Sequence, residues 1–210
     1  MENLKHTELD DRKGNQLFPV FFKLEHLQVL VVGGGFVGLE KVKAIYSNCQ
    51  NAQVTLVAPE IKDEIRALAL DYPLLKLVQR EYDKADLEGK ALVIAATSIR
   101  ELNKQVHEDA RKGKVLCNIA DTPELCDFYL SSVVQKGDLK IAISTNGKSP
   151  TFAKRMREML EEILPDGITK ILDNLNQIRE KLRGDFDYKV KKLDEITSVL
   201  KEKDKFDQNN

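Results

Sequence analysis

From Leu27 onward, short apolar runs rich in β-branched residues alternate with longer stretches in which apolar positions recur every three or four residues. The short runs are 27–32 (LQVLVV), 53–58 (QVTLVA), 74–79 (LLKLVQ), 91–96 (ALVIAA) and 115–120 (VLCNIA). They are mostly apolar at both alternating positions, as strands covered on both faces of a parallel sheet must be. Between them, 36–47, 60–70 and 101–112 carry an apolar stripe opposite a charged face, and each is long enough for a crossover helix. The pattern predicts an α/β, Rossmann-like parallel sheet.

The pattern changes after Ala120. Segments 127–135 (DFYLSSVVQ) and 139–145 (LKIAIST) are separated by a Lys-Gly-Asp turn signal that suits an antiparallel hairpin. From Ser149 three helical segments follow, broken at Pro165-Asp166-Gly167 and at Gly184-Asp185. This tail holds 13 basic and 13 acidic residues, interleaved, which predicts solvated helices packing on a neighbour or a second copy rather than on a membrane surface. Three domains are expected: residues 1–117 for nucleotide binding, 118–148 as a small β segment, and 149–210 as a helical domain.

Composition narrows the functional classes. Lys+Arg 33 against Asp+Glu 34 leaves a formal charge of −1, without the basic excess that nucleic-acid binding requires. Cys49, Cys117 and Cys126 form neither a CxxC pair nor a zinc-ligand cluster with His6, His26 and His107, so no metal site is expected. The polar opening segment, the odd thiol count and the shortness of the apolar runs predict a chain without membrane spans that stays in the cytoplasm.

The strongest chemical signal is VLVVGGGFVGLEK, in which Gly33, Gly35 and Gly38 form G-x-G-x-x-G between a predicted strand and a predicted helix. In that context the first glycine permits a tight turn, the second admits a pyrophosphate and the third lets helix and strand approach, with the helix N-terminus facing the anion. Where a ribose-binding acid is usual, the second strand ends in Ala58. Glu60 is either the ribose ligand or an acid of the next helix's first turn. With no Lys or Arg read as standing nearby to take a 2′-phosphate, NAD is expected over NADP. Thr97, after the fourth strand, is either a cofactor contact or a helix cap. Asp121, after the fifth, is either a proton-transfer carboxylate or a turn residue.

Taken together and in order, GGGFVGLEK, AATSIRELN, CNIADTPELCDF and IAISTNGKSPTFAKRMREMLEEILP resemble the precorrin-2 dehydrogenase / sirohydrochlorin ferrochelatase family of sirohaem biosynthesis, over about residues 18–165. The resemblance implies a homodimer paired through the hairpin segment, and NAD-dependent oxidation of precorrin-2 to sirohydrochlorin. It further implies, in many members, a lyase step in which ferrous iron enters to give sirohaem. Asp121 matches the family's catalytic aspartate, and Phe36, Val37, Pro59 and Glu60 fall on NAD-contacting positions. Thr145 falls near the tetrapyrrole cleft. The substrate carries eight carboxylates, and Lys148, Lys154 and Arg155 are candidates to bind them, or else the basic first turn of a solvated helix.

The chain departs from the family pattern at Gly38-Leu39-Glu40, where Ala-x-Arg is common, at Ser131, where proline is usual, and at Asn146, where glycine is usual. These departures bear on chelation more than on dehydrogenation. Two rival expectations belong to other classes: a nucleotide-sensing module that binds NAD without tetrapyrrole turnover, and a tetrapyrrole carrier that ignores NAD.

Overall fold

The computed structural model describes residues 14–198, and the chain divides into two compact units between Leu130 and Ser131. His6 and most of the polar opening segment lie outside the described residues.

The first unit is built on a parallel sheet of β1 (Gln28–Val32), β2 (Gln53–Ala58), β3 (Leu75–Gln79), β4 (Leu92–Ala95) and β5 (Leu116–Ile119), in the order β3-β2-β1-β4-β5. Its crossovers contain α1 (Phe36–Asn48), α2 (Asp63–Asp71) and α3 (Arg100–Gly113). The doubly apolar strand pattern has its cause in two cores. Val29 and Val31 pack with Leu39, Val42, Ile45, Tyr46 and Ile65 on one side, and Leu30 and Val32 with Val93, Val106 and Ala110 on the other. Tyr46 satisfies its buried hydroxyl by donating to the Ala52 carbonyl (3.2 Å) and stacks on Tyr72 at 4.1 Å between ring centroids. Burial pushes that phenol up to about 12.

The chain steps outward from β1 to β2 and β3, then crosses back to β4 and β5. This reversal opens a crevice at the carboxyl ends of β1 and β4, where ligands of such sheets bind.

β5 is an edge strand, and the chain covers that edge with its own return loop. Asp127 Oδ2 accepts from the Cys117 amide (2.9 Å) and the Asp127 amide donates to the Cys117 carbonyl (2.7 Å). Cys126 Sγ accepts from the Ile119 amide (3.2 Å), and buried Asn118 donates to the Phe128 carbonyl (2.7 Å). Residues 118–130 therefore belong with the sheet, so a boundary after residue 117 would cut through β5 and its covering loop. The same engagement makes β6 begin at Ser132 rather than at 127.

The second unit contains the hairpin β6 (Ser132–Lys136) and β7 (Leu139–Ile143), with Lys136 opposite Leu139 across a Gly137-Asp138 turn, followed by α4 (Pro150–Ile163), α5 (Ile168–Lys181) and α6 (Phe186–Thr197). Ser149 caps α4 by accepting from the Phe152 amide (3.2 Å), with Pro150 at the first helical position, and Asp185 caps α6 through the Tyr188 amide (2.9 Å). The core here is thin: among the described residues Val134 and Ala153 are its buried apolar ones, while Phe152, Ile163, Phe186 and Tyr188 are exposed. Among the described residues no helix is long and apolar enough to cross a membrane.

Candidate functional site

The three glycines of the G-x-G-x-x-G motif after β1 have different duties. Gly33 sits at φ 122°, and a β-carbon there would lie 2.5 Å from the Ala96 carbonyl oxygen. A β-carbon on Gly38 would fall on the Gly33 carbonyl oxygen. Both are demanded by the chain's own packing. A β-carbon on Gly35 meets nothing within 4 Å. Its bareness keeps open the space at the start of α1, a helix that Gly35 caps without a side-chain bond and whose first turn holds no acid. Uncompensated amides, a positive helix end and a clear approach fit the pyrophosphate of a dinucleotide.

Around this turn, Phe36 is 77% exposed and Val37 half-buried. Pro59 and Glu60 are exposed just beyond β2, which ends in buried Ala58. Glu60 precedes α2, whose first-turn acids are Asp63 and Glu64, so its reading as a helix-end acid is corrected. The helix starts late because residues 59–61 wrap over the glycines: the Lys62 amide donates to the Gly34 carbonyl (3.0 Å), and a β-carbon on Gly34 would collide with the Glu60 carbonyl. That wrap also overturns the expectation that no cation stands nearby, since Lys62 Nζ lies 3.9 Å from the centre of the Phe36 ring.

Beyond β4, Thr97 is held by Asn103. The Thr97 hydroxyl bonds Asn103 Oδ1 (2.7 Å) and accepts from the Ile99 amide (3.2 Å), while Asn103 Nδ2 donates to the Thr97 carbonyl (3.0 Å). The cap of α3 is Ile99, so Thr97 is not its capping residue. Asn103 is 7% exposed, and sequence reasoning missed it because it reads there as one more polar residue of an amphipathic helix.

Asp121 follows β5, on the same sheet edge as the glycine turn, because β1, β4 and β5 are successive neighbours and the Ala120 amide is bonded to the Ala95 carbonyl (2.9 Å). It is exposed, its φ is 58°, and among the described residues no hydrogen bond or ion pair holds its carboxylate. Asn118, Cys126 and Asp127 fix the loop that carries it. Burial pushes the Cys117 thiol up to about 12 and raises that of Cys126, so both serve as neutral packing groups.

The remaining candidates lie in the second unit. Thr145 closes the turn before α4: its hydroxyl accepts from the Ser149 amide and donates to the Ser149 carbonyl, both at 3.2 Å. Lys148, Lys154 and Arg155 are exposed; Lys154 and Arg155 approach Glu158 at 3.8 and 3.5 Å, contacts weak enough to exchange for another carboxylate. Among the described residues no group of three His, Cys, Asp or Glu side chains is arranged to hold a metal ion.

Residues 20–132 match a family described as putative NAD(P)-binding, and residues 136–163 match the sirohaem biosynthesis protein central family. A siroheme synthase of Psychrobacter arcticus is 39% identical over 176 residues, 84% of this chain and 31% of the relative. One of Nitrosomonas europaea is 31% identical over 80% of this chain and 35% of its own length. This chain thus spans about a third of the curated relatives it matches. Among solved structures, SirC, a precorrin-2 dehydrogenase, superposes with a TM-score of 0.67 at 27% identity, covering 86% of this chain and 89% of the other.

Proposed function

The chain belongs to the precorrin-2 dehydrogenase family, of the type found in the N-terminal part of siroheme synthases, and on that premise we propose that it oxidises precorrin-2 to sirohydrochlorin with NAD as acceptor. The observation that carries this reading is one sheet edge holding both a glycine turn open at Gly35 and, beyond β5, an exposed carboxylate with no partner among the described residues, Asp121.

In this reading the amides that open α1 bind the pyrophosphate, Phe36, Val37, Pro59 and Glu60 flank the adenosine half, and Thr97 borders the crevice nearer β4. The dinucleotide, when bound, supplies the hydride acceptor. Oxidation of a reduced tetrapyrrole also releases a proton, and Asp121 accepts it as general base; an exposed carboxylate without a competing partner is free to do so. Lys148, Lys154 and Arg155 bind substrate carboxylates, with Thr145 setting the turn that presents them. Ferrous iron insertion is a second proposed activity, with iron as substrate and Asp121 taking pyrrole protons.

A homodimer through the second unit, including the hairpin, is supported by that unit's thin core and exposed Phe152, Ile163, Phe186 and Tyr188. Reduced cysteines and a diffusible cofactor support a cytoplasmic setting.

The test is anaerobic incubation of precorrin-2 with NAD, followed by ferrous iron. Growth of NADH absorbance with the sirohydrochlorin spectrum is expected, and then the sirohaem spectrum. NAD binding without turnover would replace the proposal by a sensing module, and sirohydrochlorin binding without NAD binding would replace it by a carrier.

A further inference from the structure

We propose that Lys62 is a nucleotide-phosphate ligand of this site, a cation that closes over the glycine turn and binds the phosphates of the adenosine half. The inference rests on the dinucleotide-binding reading of the turn and adds a residue that the glycine motif does not contain.

Three observations place it there. The Lys62 amide is bonded to the Gly34 carbonyl (3.0 Å), so the residue is anchored to the middle of the turn rather than carried at a distance on α2. Its ammonium lies 3.9 Å from the centre of the ring of Phe36, the residue that opens α1, and the amides of that helix end lack a capping side chain. Gly35, one residue before Phe36, faces open space. A lysine resting on an exposed aromatic face is directed without being neutralised, because the ring quadrupole attracts the cation yet leaves its donors available. The competing anion is Glu64, 3.5 Å away and largely exposed, a contact that a doubly charged phosphate displaces. The end of β2 suits the same role: Ala58 offers no carboxylate to repel a phosphate at the adenosine ribose.

The shared chemistry is phosphate, and the two sources are the pyrophosphate common to all pyridine dinucleotides and the 2′-phosphate of NADP. Binding of NADH and NADPH to the full chain, followed by nucleotide fluorescence, separates them in wild type, Lys62→Met and Lys62→Arg. We expect Lys62→Met to weaken binding at least tenfold and Lys62→Arg to restore most of it, with the melting temperature of the nucleotide-free protein unchanged in both. Equal losses for the two nucleotides assign Lys62 to the pyrophosphate, and a loss confined to NADPH assigns it to the 2′-phosphate. Wild-type affinity in Lys62→Met for both nucleotides overturns the inference while leaving the binding site intact. Absence of binding by the wild-type chain overturns the underlying reading, and the inference with it.

Discussion

A β-carbon on Gly38 would collide with the Gly33 carbonyl oxygen, so these two glycines let α1 approach the end of β1, while a β-carbon on Gly35 between them would meet nothing within 4 Å. One motif thus contains two kinds of requirement, internal packing and ligand clearance, which substitution separates.

Gly38→Ala must push helix and strand apart, and overpacking of this kind costs about 1–3 kcal/mol. Gly35→Ala meets no protein atom and sits at φ −84°, open to any residue. The expected outcome is a lower urea midpoint for Gly38→Ala and a wild-type midpoint for Gly35→Ala, whose NADH affinity nonetheless falls by more than tenfold. Equal stability of the two variants would remove the distinction.

The Thr97–Asn103 pair should behave as one unit. Asn103 is buried and satisfies both the hydroxyl and the carbonyl of Thr97, so Asn103→Ala leaves polar groups unpaired at a cost of about 1–3 kcal/mol. Thr97→Val removes the hydroxyl from the other side. Chemical denaturation of both single variants and the double variant should give a double-variant loss smaller than the sum of the singles, the mark of groups in contact. Strict additivity would mean that the two side chains act independently.

A pH-dependent contribution comes from Arg80 and Asp86, far along the chain from the proposed chemistry. Arg80 grips the Asp86 carboxylate with both terminal nitrogens, at 2.5 and 2.8 Å, and the Asp83 amide adds a bond of 2.9 Å. The Arg80 hydrogen bond, chiefly, holds the Asp86 carboxyl below the usual carboxylate range against the opposing effect of burial. A carboxyl with a lowered folded-state pKa stabilises fully above its unfolded value of about 3.9, and that stabilisation is lost as the pH falls through the lower folded value. Asp86→Asn should therefore be less stable than wild type at pH 7, and the difference between the two urea midpoints should shrink as the pH drops below about 3.9. A difference that persists unchanged in acid would assign the effect to packing rather than charge.

The sheet was legible because its strands are apolar on both faces and its helices on one, so five strands and three crossover helices can be read from periodicity alone. The covering loop of β5 was not, because Asp127 and Cys126 act through local bonds to backbone groups, which leave no periodic trace. The wrap of residues 59–61 over the glycines hid Lys62 for a related reason: Pro59-Glu60 reads equally as the start of a helix, and only the later start of α2 brings the lysine back to the turn. Asn146 is a departure whose meaning needed the backbone. It adopts φ 53°, and asparagine is among the few residues that enter that region readily, so the turn conformation normally given by glycine is kept.

Asp121 shares that left-handed conformation, at φ 58°, and this decides which substitution tests it. Alanine would remove the carboxylate and also place a β-carbon residue in a region that costs roughly 1–2 kcal/mol, confounding chemistry with folding. Asparagine keeps the shape and the backbone preference and deletes only the ability to accept a proton as a carboxylate. Asp121→Asn should thus leave the melting temperature and the NADH affinity at wild-type values while lowering turnover of precorrin-2, by about 10²–10⁴-fold if the residue is the general base. Because the carboxylate has no partner to lose among the described residues, a drop in stability is not an available explanation for lost activity. Turnover at the wild-type rate would remove Asp121 from the mechanism and leave the proton to solvent or to another group.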